Sequence, residues 1–331
     1  MTLASPAPSV GQEGAWEQAP SMRNARAAHA VVSVGDAIFA LAGTGEGGNP
    51  VLEVERFDGS RWVAESSLPG KGLNAPAAAV LNGRIYLIGG FNTSTNTPTD
   101  RVEVYDPVAK SWSEAAPLPE PRGGHAAVVL NSKIHVIGGG NSQRTLEFHS
   151  AYDPANNTWI DLAQLPRSEG SPAATVLDGK IYAIGGRSGS SDFGDVYIYD
   201  PATDKWDSGP SISPRGTAGA VVYCGAIYVF GGESQAEQTS LNLVEWLDVA
   251  SRVWNTANPM PTARNFARAV LFQDSVYVVG GSPTAGSSHS SEGSAVVERF
   301  RADCPQRVFH KSKCSHFEHS ADAGEIDHGL A

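Results

Sequence analysis

The chain is expected to be all-β and to close into one large ring of six repeats, each supplying four short strands. Two observations carry that expectation. A short apolar run ending in two small residues recurs as Ala42-Gly43, Gly89-Gly90, Gly138-Gly139, Gly185-Gly186, Gly231-Gly232 and Gly280-Gly281, at intervals of 46 to 49 residues. Trp16, Trp62, Trp112, Trp159, Trp206 and Trp254, six of the seven tryptophans, keep nearly the same interval. A fixed period of this size marks a repeat architecture. A chain of 331 residues would otherwise suggest two domains, and the repeats favour a single closed β architecture instead.

Within a repeat the four strands are clearest over residues 125–130, 133–139, 149–152 and 158–162, all short and rich in β-formers. Asn82-Gly83, Asn131-Ser132 and Asp178-Gly179 suit tight hairpins between the first two strands. Tyr105-Asp106-Pro107, Tyr152-Asp153-Pro154 and Tyr199-Asp200-Pro201 suit turns before the fourth, because Asp accepts local backbone hydrogen bonds and Pro fixes φ. The paired glycines have a steric role: a residue without Cβ adopts positive φ and lets neighbouring backbones approach. The repeated Trp and Tyr side chains would fill the widening space between sheets, with their polar edges needing partners.

This set of a double glycine, a Tyr-Asp-Pro type turn and then a Trp, repeated six times from about Trp16 to Phe300, resembles the Kelch family. The resemblance implies a six-bladed β-propeller with four-stranded blades. Some copies depart from the pattern, with Ala42 for the first glycine and Phe57-Asp58-Gly59 at the turn in blade one, and Leu247-Asp248-Val249 in blade five. After Gly280-Gly281 the last repeat offers a third strand near residues 295–300 but no Trp strand, whereas Ala15-Trp16-Glu17 stands alone at the start. Residues near 15–20 are therefore expected to complete the blade made by 264–301, which removes a sheet edge. The propeller is assigned to residues 1–301 and a flexible tail to 302–331. In the tail Cys304, His310, Cys314, His316 and His319 match no standard zinc spacing, so no metal and no cofactor are expected. A Cys304–Cys314 disulfide is one expectation, with Cys224 buried in the first strand of blade five.

The formal charge of −11 argues against a broad nucleic-acid or anionic-membrane surface. No apolar run is long enough to span a bilayer, and Met1 to Val10 does not read as a secretory leader. The expectation is a soluble, cytoplasmic monomer.

Function is expected in the loops entering the inner strands and in the segments after the glycine pairs, which should converge at one mouth of the channel. Sixteen positions before each glycine pair stand Arg26, Leu73, Arg122, Glu169, Arg215 and Arg264. Immediately after the pairs come Thr44, Phe91, Gly140, Arg187, Glu233 and Ser282. Four residues into the inner-strand segments are Ala30, Ala77, Ala126, Ala173, Gly219 and Arg268, so Arg268 breaks a rule of small residues. Guanidinium groups suit carboxylate or phosphate, and the resemblance implies that such loop arginines hold acidic peptide segments. The expected ligand site is Arg26, Arg122, Arg187, Arg215, Arg264, Arg268, Glu233, Phe91, Asn74, Asn265 and His125, with His29 as a further donor or acceptor. Arg23 is the alternative to Arg26. The competing reading makes these arginines ion-pair partners or caps of loop carbonyls.

Two enzymes that resemble Kelch propellers supply catalytic readings. Galactose oxidase is disfavoured because its copper-ligand pattern and added domains are missing. The sialic acid mutarotases resemble the stretch from Gly216 to Glu233, which implies a sugar-acid mutarotase or epimerase with Glu233 transferring protons and Arg215 or Arg187 holding the carboxylate. The favoured reading of Glu233 is instead as the ion-pair partner of those same arginines. The favoured function is a non-enzymatic recognition module for an acidic peptide or a small anion.

Overall fold

The computed structural model describes residues 13–286 and 292–304. Every repeat becomes one antiparallel four-stranded sheet. Blade one comprises Ala30–Val34, Ala37–Leu41, Glu53–Phe57 and Trp62–Ser67, and blade two Ala77–Leu81, Arg84–Ile88, Val102–Asp106 and Ser111–Ala115. Blade three comprises Ala126–Leu130, Lys133–Ile137, His149–Asp153 and Thr158–Asp161, within two residues of the sequence reading. Blade four, Ala173–Leu177, Lys180–Ser188, Ser191–Asp200 and Lys205–Ser208, extends its middle hairpin past the glycine pair by a register shift between Ile184 and Gly186. Blade five is Gly219–Tyr223, Ala226–Phe230, Val244–Asp248 and Val253–Thr256. Blade six is Arg268–Phe272, Ser275–Val279 and Val297–Arg301, completed by Ala15–Ala19 at its outer edge.

That last pairing runs from Ala15 opposite Arg301 to Ala19 opposite Val297, so the two ends of the ring share one sheet. The arrangement is a six-bladed β-propeller.

Local chemistry accounts for the turns. Asn82 and Gly83, Asn131 and Ser132, and Asp178 and Gly179 all have positive φ, the signature of a type I′ hairpin. Asp106 Oδ1 accepts the backbone N–H of Val108 and Ala109, and Asp58 and Asp248 make the same kind of bond to Ser60 and Ala250. The departures in blades one and five therefore keep the working part of the turn, which is the carboxylate and not the proline.

Apolar contacts between successive blades hold the ring. Phe39 and Leu41 of blade one pack with Ile85, Leu87 and Tyr105 of blade two, and Tyr228 and Phe230 of blade five pack with Val276, Val278 and Phe300 of blade six. The tryptophans add one polar clasp at each junction. The indole N–H of Trp62 donates to Pro20 O at 2.9 Å, Trp159 to Ala116 O at 2.8 Å, Trp206 to Ala163 O at 2.8 Å and Trp254 to Pro210 O at 2.7 Å. Trp112 uses the Ser66 hydroxyl and Trp16 the Asn258 carbonyl. Each ring thus fills a wedge and ties its blade to the one before.

The cysteines correct the sequence reading. Cys304 is disulfide-bonded to Cys224, with Cα atoms 5.0 Å apart, and not to Cys314. Cys224 has φ 52° in the turn after Gly219–Tyr223, half-buried, and is not a residue of that strand. A turn in blade five thereby reaches the segment leaving blade six, 80 residues away in sequence. Cys314, His310, His316 and His319 lie outside the described residues. Among the described residues no helix is long and apolar enough to cross a membrane.

Candidate functional site

The two segments expected at the mouth do meet there, backbone to backbone. The residue after each glycine pair bridges the residue after the sixteen-before position, as Ala27 with Thr44, Asn74 with Phe91, Gly123 with Gly140, Gly170 with Arg187, Gly216 with Glu233 and Asn265 with Ser282. One residue further on stand Ala28, Ala75, Gly124, Ser171, Thr217 and Phe266, all with positive φ. Their peptide groups link successive blades: Ala75 N–H donates to Ala28 O, Gly124 to Ala75, Ser171 to Gly124, Thr217 to Ser171 and Phe266 to Thr217, at 2.7 to 3.1 Å. This collar around the channel mouth holds Thr217 and Phe266 in a backbone region that β-branched and bulky residues seldom occupy. Only Gly124 gave any sequence signal for it.

The arginines of the expected set point elsewhere. Arg26, Arg122, Arg215 and Arg264 are at most 1% exposed and run into the body of their own blades, so they do not form the mouth. The cause is visible in the strands. Past the glycine pair the second and third strands part, leaving carbonyls that a guanidinium can cap. Arg26 donates to Ala42 O at 3.1 Å, Glu53 O at 3.0 Å and Glu55 Oε1 at 2.7 Å. Arg264 donates to Gly280 O at 2.7 Å, Val296 O at 2.9 Å and Glu298 Oε2 at 2.6 Å. Arg215 Nη2 lies 2.8 Å from Glu245 Oε2. Arg122 faces Ser150 of its third strand where these blades have Glu, donates weakly to Phe148 O at 3.4 Å and sits 5.4 Å from the Phe148 ring; burial lowers it to about 10. Arg23 is an exposed partner of Glu53.

The histidines and asparagines are also enclosed. His29 packs between Gly43 of its own blade and Gly280 of the preceding one, and His125 between Gly139 and Gly89. Burial and neighbouring arginines keep both neutral, His125 pushed down to about 3 and His29 well below its ordinary value. Asn74 donates to Thr44 Oγ1 at 3.1 Å, and Asn265 to Glu233 Oε2 at 3.1 Å and Ser240 Oγ at 3.1 Å.

Glu233 is fully buried. It is paired with Arg187, accepts from Asn265 and is 3.4 Å from the Gly286 N–H, while Arg215 belongs to Glu245. Burial raises its pKa against the opposing charge of Arg187. A carboxylate so surrounded has no open side from which to exchange a proton with a sugar, so the geometry favours its ion-pair role.

What remains at the surface is a cleft of about 700 Å³ over blades two to four, lined among others by Phe91, Gly140, Arg144, Thr145, Ser168 and Arg187. Phe91 is half-buried against Gly123, and Arg187 lies 5.6 Å from the Phe266 ring. Thr145 Oγ1 is 2.9 Å from Ser188 Oγ and 3.3 Å from Ser168 Oγ. Arg144, absent from the expected set, carries a half-exposed guanidinium on Glu147 at 2.6 Å. It lies on the loop after Gly138-Gly139, where the sequence reading stopped at the first residue. Arg268 lies below, in the channel itself. Among the described residues no cluster of three His, Cys, Asp or Glu is placed to hold a metal.

Six radial sheets, a collar of inter-blade hydrogen bonds and a cleft built from its loops define a six-bladed β-propeller of Kelch-like architecture. A family model described as the KLHDC2/KLHL20/DRC7 Kelch-repeats domain matches residues 75–281, more than half of the chain, and the chain belongs to the Kelch-repeat family. Kelch propellers are typically protein-interaction modules. Alpha-scruin of Limulus polyphemus is 33% identical over 108 residues, covering 31% of this chain and 12% of that protein. Human Kelch-like protein 34 is 34% identical over 117 residues, covering 34% of this chain and 18% of its own length. The chain thus matches under a fifth of the length of these relatives. A solved structure titled "Structure of YjhT" superposes with a TM-score of 0.72 at 16% identity, covering 86% of this chain and 99% of that one. At that identity the likeness is one of fold.

Proposed function

We propose that the chain is a recognition module for an acidic peptide segment, seated in the cleft above blades two to four. The observation that carries this reading is the half-exposed Arg144 beside Phe91 in one open depression of about 700 Å³ on a protein of net charge −11, with Arg187, largely buried on Glu233, in its wall. A local cationic cleft on an acidic chain selects against the protein's own surface and for an anionic partner. Arg144 is half-exposed, and its bond to Glu147 three residues on is of the kind worth little in water, so a ligand carboxylate can replace it at small cost. Arg187 is held by Glu233 and presents a fixed direction. Phe91 offers an apolar face, and the hydroxyls of Thr145, Ser168 and Ser188 offer donors to a peptide backbone. The open, shallow form suits an extended chain better than an enclosed small compound.

Fluorescence anisotropy with a labelled acidic peptide library, against charge-reversed peptides, tests this. Arg144→Glu is expected to weaken acidic-peptide binding by about tenfold or more, the scale of one charge-assisted contact, and to flatten its salt dependence. Phe91→Ala should weaken binding without changing that salt slope. Equal affinity for acidic and basic peptides, or an Arg144→Glu variant that binds as the parent does, would discard the reading. Binding confined to free small anions would replace the peptide with a metabolite.

A further inference from the structure

We propose that the central channel binds one small monovalent anion on the guanidinium of Arg268. At the position where the other five blades carry Ala30, Ala77, Ala126, Ala173 and Gly219, blade six carries this arginine. Those small residues, with Arg268 and His125, line a part-open channel volume of about 140 Å³. The guanidinium crosses the seam between blades six and one, where its Nε donates to His29 O at 3.0 Å. Among the described residues its two terminal amino groups have no protein acceptor and no carboxylate forms an ion pair with it. Arg26, Arg187, Arg215 and Arg264, by contrast, each lie against a glutamate.

A half-buried cation in a narrow channel without a counter-charge raises the local positive potential and draws in an anion. Burial alone acts on Arg268, lowering it to about 10, with no opposing charge to raise it. The other titratable groups that sense it, His29 and His125, are held neutral, so the site carries a single positive charge. One charge selects a monovalent ion. The residues lining the channel supply no second cation for sulfate or phosphate, so the single charge matches a monovalent ion such as a halide, nitrate or formate with its remaining water. The site is separate from the surface cleft, and neither reading rests on the other.

The experiment compares thermal unfolding of the full chain in sodium chloride, sodium bromide and sodium gluconate at equal ionic strength, and maps bromide by anomalous diffraction. Chloride and bromide are expected to raise Tm by about 1–2 °C over gluconate at a few times the dissociation constant, with a bromide peak beside the guanidinium. In Arg268→Met the halide advantage should vanish, and in Arg268→Lys it should persist in part. If Arg268→Met does not fold, the parent and the lysine variant decide. Coincident halide and gluconate curves for the parent overturn the proposal. So does a bromide peak whose halide-dependent stabilisation is unchanged in Arg268→Met, which would be an adventitious ion only.

Discussion

Blades six and four solve the same local problem in opposite ways. In blade six the guanidinium of Arg264 caps the carbonyls opened by the glycine pair and meets Glu298 of the third strand. In blade four the two positions hold Glu169 and Tyr197, and the Glu169 carboxyl, fully buried, has no hydrogen-bond partner among the described residues. Blade two is a third solution: Leu73 replaces the arginine, and Glu103 is served by Arg101 of its own loop. The repeat therefore keeps a backbone, while the side chain and charge in the slot vary from blade to blade. Blade four also has the longest hairpin of the ring, Lys180–Ser188 with Ser191–Asp200, whose ladder continues where the other blades open.

The comparison is broken most sharply at Arg264. Arg264→Ala removes the cation from the buried Glu298 and leaves it only the Thr262 hydroxyl, and should cost about 3–5 kcal/mol, read from the denaturant midpoint of the full chain. An unchanged midpoint would mean that the slot is filled for shape alone.

Blade four predicts a smaller effect, dependent on pH. Burial first, and the nearby Asp195 next, raise Glu169 from 4.5 to about 8, with Arg167 opposing. The folded state then holds a proton that the unfolded state has released between those values. Stability contributed by this group is present below pH 4.5, falls as pH rises toward about 8, and is level above it. Glu169→Gln should therefore match the parent at about pH 4 and exceed it in denaturant midpoint at about pH 8.5. Parallel midpoint profiles across that range would place the proton elsewhere.

The smallest effect concerns what the blades share. Trp159→Phe keeps the wedge but loses the bond to Ala116 O, at a cost of about 1 kcal/mol. Trp206→Phe should cost the same, since its bond to Ala163 O is equivalent and independent of the charge in the blade four slot. A large difference between the two would tie the clasps to the slots.

Much of this architecture is legible without coordinates. Asn82-Gly83 specifies its hairpin, Asp106 specifies its turn, and the lone strand at Ala15–Ala19 announces its pairing, because each depends on chemistry within a few residues or on a repeat left incomplete. The counting that aligned Arg26, Leu73, Arg122, Glu169, Arg215 and Arg264 was also right in register, since the residue after each one bridges the residue after a glycine pair. The direction of the side chains was not legible. Whether Arg26 turns outward to solvent or inward to Ala42 O depends on carbonyls freed where two strands part, and on Glu55, which arrives from another strand. Arg144 was missed for the converse reason: it is one polar loop residue among several, and only the fold places it beside Phe91 and Arg187.

By itself, then, the sequence determined the number of blades, their order, their turns and how the ring shuts, because period and local backbone preference are written in consecutive residues. The tertiary structure decided which charges are buried on a partner and which stay at the surface. That outcome depends on burial and on acceptors contributed by distant segments, and these come into existence only when the sheets assemble around the axis.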